Sequence, residues 1–232
     1  MKNYLIHDEW CIIEDSFHPE FNRISESIFS IGNGRMGQRA NFEEDYSGDT
    51  LEGNYVAGIY YPDKTRVGWW KIGYPEYYAK VLNAPNWIGI RIEFDGVIFD
   101  LAKCEIRSFN RVLNMREGFL ERSFIARTQS GLEVQVRAKR FCSIVEDEIG
   151  AIEYAITPLN FSSAMTVTPS IDADIKNEDA NYDEKFWVGV ETEVKRRQAF
   201  IIAETKKTAF QTCTGMKFGI YRGEEEVEFN SF

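Results

Sequence analysis

The sequence predicts an all-β fold, a large two-sheet antiparallel β-sandwich, on three observations. After Pro85, apolar and polar residues alternate with a period of two in many short segments, which is typical of half-buried strands. Turn residues, and not helical patterns, separate these segments. Apolar residues at the i, i+3, i+4, i+7 spacing never continue long enough for a substantial helix. We therefore expect at most a short helical turn, near Glu43 or Asp179.

The clearest element is a hairpin around Asp95-Gly96. Every second residue of Ile88–Phe94 is apolar, and Val97-Ile98-Phe99 returns after a two-residue turn. A second turn, at Ser130-Gly131, separates two longer predicted strands, Phe119–Arg127 and Leu132–Lys139. Further strands are predicted at Ala151–Ile156, Met165–Thr168, Trp187–Val194, Ala199–Thr205 and Gly215–Tyr221.

The strand that begins at Leu132 shows an apparent irregularity. Its apolar residues alternate up to Ala138, and then Phe141 and Ile144 shift the parity of the pattern. An extra residue in one strand of a pair has this effect, so the pattern predicts a β-bulge near Arg140.

Length and charge limit the classes of protein to consider. The 232 residues show no linker, repeat or low-complexity segment, which predicts one domain over residues 1–232 with a sizeable core. The formal net charge of −10 provides no basic stripe for phosphates, which excludes nucleic acid and an anionic membrane surface as expected partners.

Cysteine usage and the amino terminus indicate a reducing compartment. The first residues lack the apolar core and cleavage site of a signal peptide, and no apolar run is long enough to cross a bilayer. The four cysteines are far apart and form no C-x-x-C pair, so we expect free thiols in a cytoplasmic protein. With only two histidines, no zinc-ligand spacing is present, and no metal or other cofactor is expected.

The segment Glu26–Glu44, ESIFSIGNGRMGQRANFEE, carries the most specific pattern. Asn33-Gly34 is a strong turn signal, and the neighbouring glycines allow positive φ angles. A phosphate-binding loop would need a helix after the glycines, whereas an acidic stretch interrupted by Gly48 follows. The segment resembles the opening signature of glycoside hydrolase family 65, the family of maltose, trehalose and kojibiose phosphorylases and related hydrolases. The signature residues most specific to this pattern are Glu26, Asn33, Gly34, Arg39, Asn41 and Glu43.

The resemblance continues along nearly the whole chain. Ala40 is a departure, because the family usually has glycine there. Other motifs occur in family order, each weak alone: Tyr55–Tyr60, Leu82–Trp87, Arg111 with Leu113, Gly118 and Arg122, Arg140–Ser143, and Ser170–Asp172 with Asn177.

This resemblance implies a function and a division of labour. Family members cleave α-linked glucobioses with inversion, which needs a carboxylic acid and an attacking phosphate or water. In the family, the carboxylic acid is a glutamate of a helical barrel, and the inorganic phosphate site lies in the same barrel. This barrel has no counterpart in residues 1–232. The chain would thus be an amino-terminal domain of the galactose-mutarotase-like type, inactive alone, that supports the barrel and a possible homodimer. The resemblance leaves phosphorylase and hydrolase both open.

Three acidic runs are the alternative candidates for catalytic carboxylates: Glu43-Glu44-Asp45, Glu146-Asp147-Glu148 and Glu224-Glu225-Glu226. We expect solvated loops, because charged residues are ordinarily exposed and consecutive strand residues point to opposite sides. Glu43 and Glu44 are expected to pair with Arg39 or with the barrel. Galactose mutarotases share this sandwich topology but use a histidine as the acid and a glutamate as the base. Mutarotase chemistry is therefore excluded, because no histidine follows His18.

The aromatic segment Val67–Tyr78 supports an alternative function. Trp and Tyr faces stack on sugar rings, so a free-standing carbohydrate-binding sandwich that binds a glucose-containing disaccharide is the second hypothesis. Packing against another domain is the competing explanation, since aromatic residues also dominate interfaces. The residues concerned are Trp69, Trp70, Tyr74, Tyr77 and Tyr78.

Overall fold

The computed structural model describes residues 4–65, 73, 75–177 and 185–227. The fold is an all-β sandwich, as predicted. The chain is arranged in two compact units. The first unit comprises residues 1–54 and 88–170, and the second comprises residues 55–87 and 171–232. The prediction that residues 1–232 form one domain stays a prediction.

The strands are numbered along the chain. They are β1 (Ile6–His7), β2 (Cys11–Glu14), β3 (Ile31–Gly32), β4 (Met36–Gln38), β5 (Asn54–Val56), β6 (Tyr60–Lys64), β7 (Tyr77–Val81), β8 (Ile90–Phe94), β9 (Val97–Ile98), β10 (Glu105–Asn114), β11 (Phe119–Arg127), β12 (Glu133–Cys142), β13 (Gly150–Pro158), β14 (Met165–Pro169), β15 (Trp187–Lys195), β16 (Gln198–Thr205), β17 (Gln211–Lys217), β18 (Tyr221–Arg222) and β19 (Glu225–Glu226). One α-helix, α1 (Asn22–Ile28), and two 3₁₀ turns, Pro19–Phe21 and Leu101–Lys103, complete the described elements.

Two sheets enclose the core of the first unit. One has six antiparallel strands in the order β1-β2-β10-β11-β12-β13, and the other has three in the order β14-β8-β9. Each strand contributes every second side chain to the space between the sheets, because successive residues point to opposite faces. The resulting cluster contains Ile92 and Phe94 from one sheet and Phe109, Phe124, Ala126, Val134 and Val136 from the other.

Both predicted turns are confirmed. Strands β8 and β9 pair directly across Asp95 and Gly96, whose φ angles are 50° and 79°, as a tight two-residue turn requires. Gly131, with a φ of 88°, lies in the connection between β11 and β12.

The predicted bulge at Arg140 is wrong. Strand β12 pairs without interruption with β11 on one side and β13 on the other. Its alternation simply continues, with Arg140 and Cys142 facing inward and Phe141 facing out. Phe141 and Ile144 are exposed, so the apparent parity shift comes from apolar residues on the surface that are not part of the core. Within this sheet the register shifts instead in β10, between Ile106 and Ser108.

Helix α1 does not follow from the sequence pattern. Its buried residues are Asn22, Ser25 and Glu26, so the inward face is polar and produces no apolar periodicity. Asn22 and Glu26, one turn apart, are joined by a hydrogen bond of 2.9 Å from Asn22 Nδ2 to Glu26 Oε1. No helix occurs at the expected position of Glu43, and Asp179 lies outside the described residues.

The second unit has its own core. The sheet β15-β16-β17 and the hairpin β6-β7 contribute to a cluster of Tyr61, Leu82, Ala84, Ile175, Phe186, Trp187 and Ala203. The predicted strand Gly215–Tyr221 is wrong in its bounds. β17 ends at Lys217, and Tyr221–Arg222 forms a separate small pair with Glu225–Glu226.

All four cysteines are free thiols. Across the described part of the chain, no helix has the length and apolar character to span a bilayer.

Candidate functional site

The loop after β3 is shaped by Asn33. Its side-chain oxygen accepts hydrogen bonds from the backbone amides of Arg35 (3.0 Å) and Met36 (2.9 Å), which closes a tight turn. Its amide nitrogen donates to the carbonyl oxygens of Ser143 (2.5 Å) and Asp147 (2.9 Å). Gly34 has a φ of 93°, a conformation that strains other residues. This part of the signature therefore fixes one loop and fastens it to the β12–β13 connection.

Glu26 and Arg39 hold helix α1 and the following segment together. Glu26 is fully buried and accepts hydrogen bonds from Asn22, from the Thr50 hydroxyl and from the Leu51 amide. The Arg39 guanidinium lies 3.8 Å from its carboxylate.

Arg39 also donates to three oxygens of the same region. They are the Leu51 carbonyl (2.8 Å), the Ser27 hydroxyl (2.6 Å) and the Arg23 carbonyl (2.8 Å). Asn41 adds bonds to the Leu51 carbonyl and from the Gly53 amide. Both side chains thus bind backbone groups of the same region, which is a scaffold role.

The inward face of the six-stranded sheet carries a row of charged side chains. Glu14 on β2 is directly opposite Arg111 on β10, and Arg111 is directly opposite Arg122 on β11. Arg122 is opposite Ala138 on β12, which places Arg140 diagonally across from it. Like charges opposite each other destabilise a sheet, so the buried arginines need carboxylate partners.

Arg122 obtains two partners from the end of the signature. It donates to both oxygens of Glu44 at 2.5 and 2.6 Å, and to Glu43 at 2.6 Å. Two parallel N–H···O bonds to one carboxylate are the strongest ordinary geometry for this pair. The guanidinium also lies over the rings of Phe42 (4.5 Å) and Phe124 (5.0 Å).

Arg140 binds the same segment from the next strand. It donates to Glu43 Oε1 at 2.7 Å and to the carbonyl oxygens of Asn41 (3.0 Å) and Arg39 (2.9 Å). On the other side, the Tyr154 hydroxyl donates to Glu44 Oε2 at 3.0 Å. The two carboxylates and two guanidiniums neutralise each other inside the protein. We call Glu43, Glu44, Arg122 and Arg140 the buried charge cluster.

The ionisation of the cluster follows from these contacts. Burial alone would raise the pKa of Glu43, but Arg140 and Arg122 outweigh burial and hold that pKa below its ordinary value. Burial and then Glu44 raise the pKa of the Tyr154 hydroxyl well above its ordinary value. Glu43 therefore stays ionised at neutral pH and cannot donate a proton to a leaving group.

Glu14 and Arg111 form a poorer pair. Arg111 Nε lies 3.5 Å from Glu14 Oε2, both side chains are about 1% exposed, and neither carboxylate oxygen accepts a hydrogen bond of good geometry. Burial raises the pKa of Glu14 despite Arg111, and burial lowers the pKa of Arg111 to about 10 despite Glu14. The buried charge of Arg111 is also stabilised by a hydrogen bond to the Asn22 side-chain oxygen and by the faces of three phenylalanine rings, over which the guanidinium lies. Glu14 has the raised pKa of a proton donor, but it is sealed from any substrate.

Two predictions about these carboxylates are wrong. Glu43 and Glu44 are not in a solvated loop; they are 5% and 3% exposed. They pair with Arg122 and Arg140, and Arg39 pairs with Glu26 instead. The alternation of side chains along a strand does not apply to them, because the two glutamates lie in a bend, where consecutive side chains can converge. The other two acidic runs are largely exposed, as expected.

The arginines of the cluster were missed as site residues, although a signal for them existed. Arg111, Arg122 and Arg140 each stand within a family-like motif, and each occupies an inward position of an alternating strand. An arginine at a core position predicts a buried carboxylate partner.

The structure describes only part of the aromatic segment that the sequence offers for sugar binding. Tyr77 and Tyr78 lie on β7 and are exposed, while Trp69, Trp70 and Tyr74 lie outside the described residues. Tyr78 packs beside the buried Lys80–Asp63 ion pair, whose N···O distance is 2.6 Å. Among the described residues, no group of three or more histidine, cysteine or acidic side chains is arranged to hold a metal ion.

The fold and the buried charge cluster define a β-sandwich domain whose signature residues bind strands and loops of the same domain. The chain belongs to glycosyl hydrolase family 65: residues 12–231 match the family's N-terminal domain. It is 44% identical over 205 residues to maltose phosphorylase from Bacillus subtilis (strain 168), which covers 88% of this chain and 27% of that protein.

Other relatives agree. The chain is 30% identical over 220 residues to alpha,alpha-trehalose phosphorylase from Thermoanaerobacter brockii, covering 88% of this chain and 28% of the relative. A solved structure described as "Putative kojibiose phosphorylase from human microbiome" superposes with a TM-score of 0.83 at 26% identity, over 93% of this chain and 28% of the other. The chain thus spans about a quarter of the length of the curated relatives it matches.

Proposed function

We propose that this chain is the non-catalytic amino-terminal domain of a family 65 phosphorylase or hydrolase that acts on α-linked glucose disaccharides. Its role is to support a helical catalytic barrel and a homodimer. Inorganic phosphate, in a phosphorylase, binds in that barrel, and this domain holds no cofactor. The four free thiols are consistent with a cytoplasmic location.

The buried charge cluster supports the non-catalytic part of this proposal. A glycosidase acid needs a raised pKa and access to the scissile oxygen. Glu43 has a lowered pKa, and Glu14, whose pKa is raised, is sealed inside the sandwich. The signature carboxylates are thus occupied in holding strands and loops in place.

Maltose is the first substrate to test. Identity to the maltose phosphorylase is 44%, compared with 29% to a kojibiose phosphorylase and 30% to a trehalose phosphorylase from Thermoanaerobacter brockii.

The test is a domain exchange. The matched segment of the Bacillus subtilis maltose phosphorylase is replaced by this chain, and phosphate consumption with maltose is measured for the chimera, the parent enzyme and the isolated chain. We expect the chimera to retain activity within about tenfold of the parent, a loss of ~1.4 kcal/mol in transition-state stabilisation, and the isolated chain to have none. A folded but inactive chimera would contradict the supporting role, and turnover by the isolated chain would contradict the non-catalytic one.

Exposed tyrosines favour the carbohydrate-binding module as a second candidate. The Tyr77 side chain is 53% exposed on β7, where a sugar ring could stack on it. Calorimetric titration with maltose, trehalose, kojibiose and glucose distinguishes the two functions. Saturable binding that Tyr77→Ala abolishes would favour the module, whereas the supporting role predicts no binding heat.

A further inference from the structure

Three connections of the six-stranded sheet lie at the same end of it. The β1–β2 turn (residues 8–10), the β10–β11 turn (115–118) and the β12–β13 loop (143–149) are brought together by strand pairing. Cys11 pairs with Asn114, where β10 ends, and Asn114 pairs with Phe119. Leu120 pairs with Arg140, close to the end of β12.

Large apolar side chains are exposed at this end. Ile144 and Val145, in the β12–β13 loop, are 82% and 95% exposed. Four other large apolar side chains at this end are between 42% and 50% exposed. We call this group the turn surface; it consists of Trp10, Met115, Phe141, Ile144, Val145 and Ile149. Scattered surface leucines or valines are ordinary, but six large apolar residues at one end of a sheet are typical of an interaction site.

The turn surface is held in place. The Met115 amide donates to the Trp10 carbonyl at 2.9 Å, which joins the first two turns. Asn33 binds the 143–149 loop through two carbonyls, and Arg35 pairs with Asp147 at 3.3 Å. A preorganised surface loses less conformational entropy when a partner binds. Part of the family signature thus serves to present this loop.

The charges around the turn surface indicate its partner. The three connections carry six acidic residues and one basic residue, Arg116. Asp147 is paired with Arg35, and the exposed carboxylates are Asp8, Glu9, Glu117, Glu146 and Glu148. In a two-fold dimer each copy would present the same acidic rim to the other, which opposes self-association through this surface. A partner with an apolar centre and a basic rim is complementary.

We infer that the turn surface is the docking site for the catalytic domain of a family 65 protein, through an apolar patch on that domain bordered by lysine or arginine. This inference rests on the proposed function and deepens it, because it assigns the supporting contact to particular side chains. Ile144 and Val145 insert into the patch, and the acidic rim pairs with its basic border.

Hydrogen exchange tests the inference. Amide exchange of residues 143–149 is compared between the isolated 232-residue chain and the chimera with the maltose phosphorylase described above. Docking buries the loop, so we expect the amides of Ile144 and Val145 to exchange at least ten times more slowly in the chimera. The variant Ile144→Asp/Val145→Asp should remove this protection, whereas Val97→Asp, a 70% exposed position on β9, should retain it.

Each outcome decides between explanations. Equal exchange in the chimera and the isolated chain overturns the docking site, even if the chimera is active and the proposed function therefore stands. Protection in an inactive chimera supports the docking site and contradicts the proposed function. Sedimentation of the isolated chain covers the remaining case: a dimer that Ile144→Asp/Val145→Asp dissociates would make a second copy the occupant and overturn the inference. All variants should match the wild-type circular dichroism spectrum, because the substituted side chains are exposed.

Discussion

Replacing Arg122 with methionine should lower the free energy of unfolding by about 3–5 kcal/mol at pH 7. The side chain is buried and donates hydrogen bonds at 2.5–2.6 Å to Glu43 and Glu44. Without it, one guanidinium, that of Arg140, remains for two buried carboxylates, and Glu43 is the carboxylate that it contacts. Glu44 keeps a single hydrogen bond, from Tyr154. The cost comes mainly from the uncompensated charge that remains.

Urea and thermal unfolding, followed by circular dichroism, measure this loss. For a chain of this size the melting temperature should fall by about 6–20 °C, at 2–4 °C per kcal/mol. Arg137→Met is the matched control. Arg137, on β12, forms an ion pair of 3.1 Å with Glu121 on the outward face of the same sheet, and its side chain is 67% exposed. Because solvent screens that pair, its loss should cost at most ~1 kcal/mol.

A second substitution separates charge from packing. If the loss arises from the orphaned carboxylate, Arg122→Met/Glu44→Gln should recover at least half of it. The deficit of the single variant should also be smaller at about pH 5 than at pH 7, because an orphaned buried carboxyl takes up a proton more readily. A single-variant loss under ~1 kcal/mol, or no larger than that of Arg137→Met, would refute the reasoning that the buried charges depend on each other.

Three further results are expected from unfolding measurements. No hydrogen bond of good geometry joins Glu14 and Arg111, so replacing both residues with methionine should leave the free energy of unfolding within ~1 kcal/mol of wild type or raise it by up to ~4 kcal/mol. A loss above ~3 kcal/mol would mean that the pair is strongly stabilising. Gly34→Ala should cost ~1–2 kcal/mol because of the φ of 93°, whereas Gly37→Ala, with ordinary φ and its nearest contact at 3.7 Å, should change stability little; equal effects would contradict the role of backbone strain. The pKa of Glu43 is lowered, so its stabilisation is present above its unfolded pKa and is lost as pH falls through the folded value. The stability difference between wild type and Glu43→Gln should therefore shrink from pH 7 towards pH 3, and a constant difference would contradict the lowered pKa.

Elements with a strictly alternating pattern could be predicted from the sequence. The hairpin at Asp95-Gly96 and the pair β11–β12 follow from period-two alternation and from residues that accept positive φ. These features depend on neighbours in the chain, so local sequence is sufficient for them. The bulge predicted at Arg140 is absent because the inward position is occupied by a charged residue, Arg140 itself, whereas the apolar Phe141 lies on the exposed face.

Features that depend on distant partners could not be predicted from local patterns. Helix α1 buries a polar face, so it is stabilised by contacts with residues 49–51 and not by apolar periodicity. The signature and its resemblance to family 65 identified Glu26, Asn33 and Arg39 as important residues, but not what each one binds.

The sequence by itself determined the fold class, the family and the residues of the signature, because alternation, turn residues and motif spacing are properties of the chain. Only the tertiary structure decided that Glu43 and Glu44 are buried, since their partners Arg122 and Arg140 follow them by 78 to 97 positions. It also decided that three turns meet at one end of a sheet, because strand register brings them there. A carboxylate in a polar run is solvated or buried according to whether a distant guanidinium folds against it, and that is settled by packing.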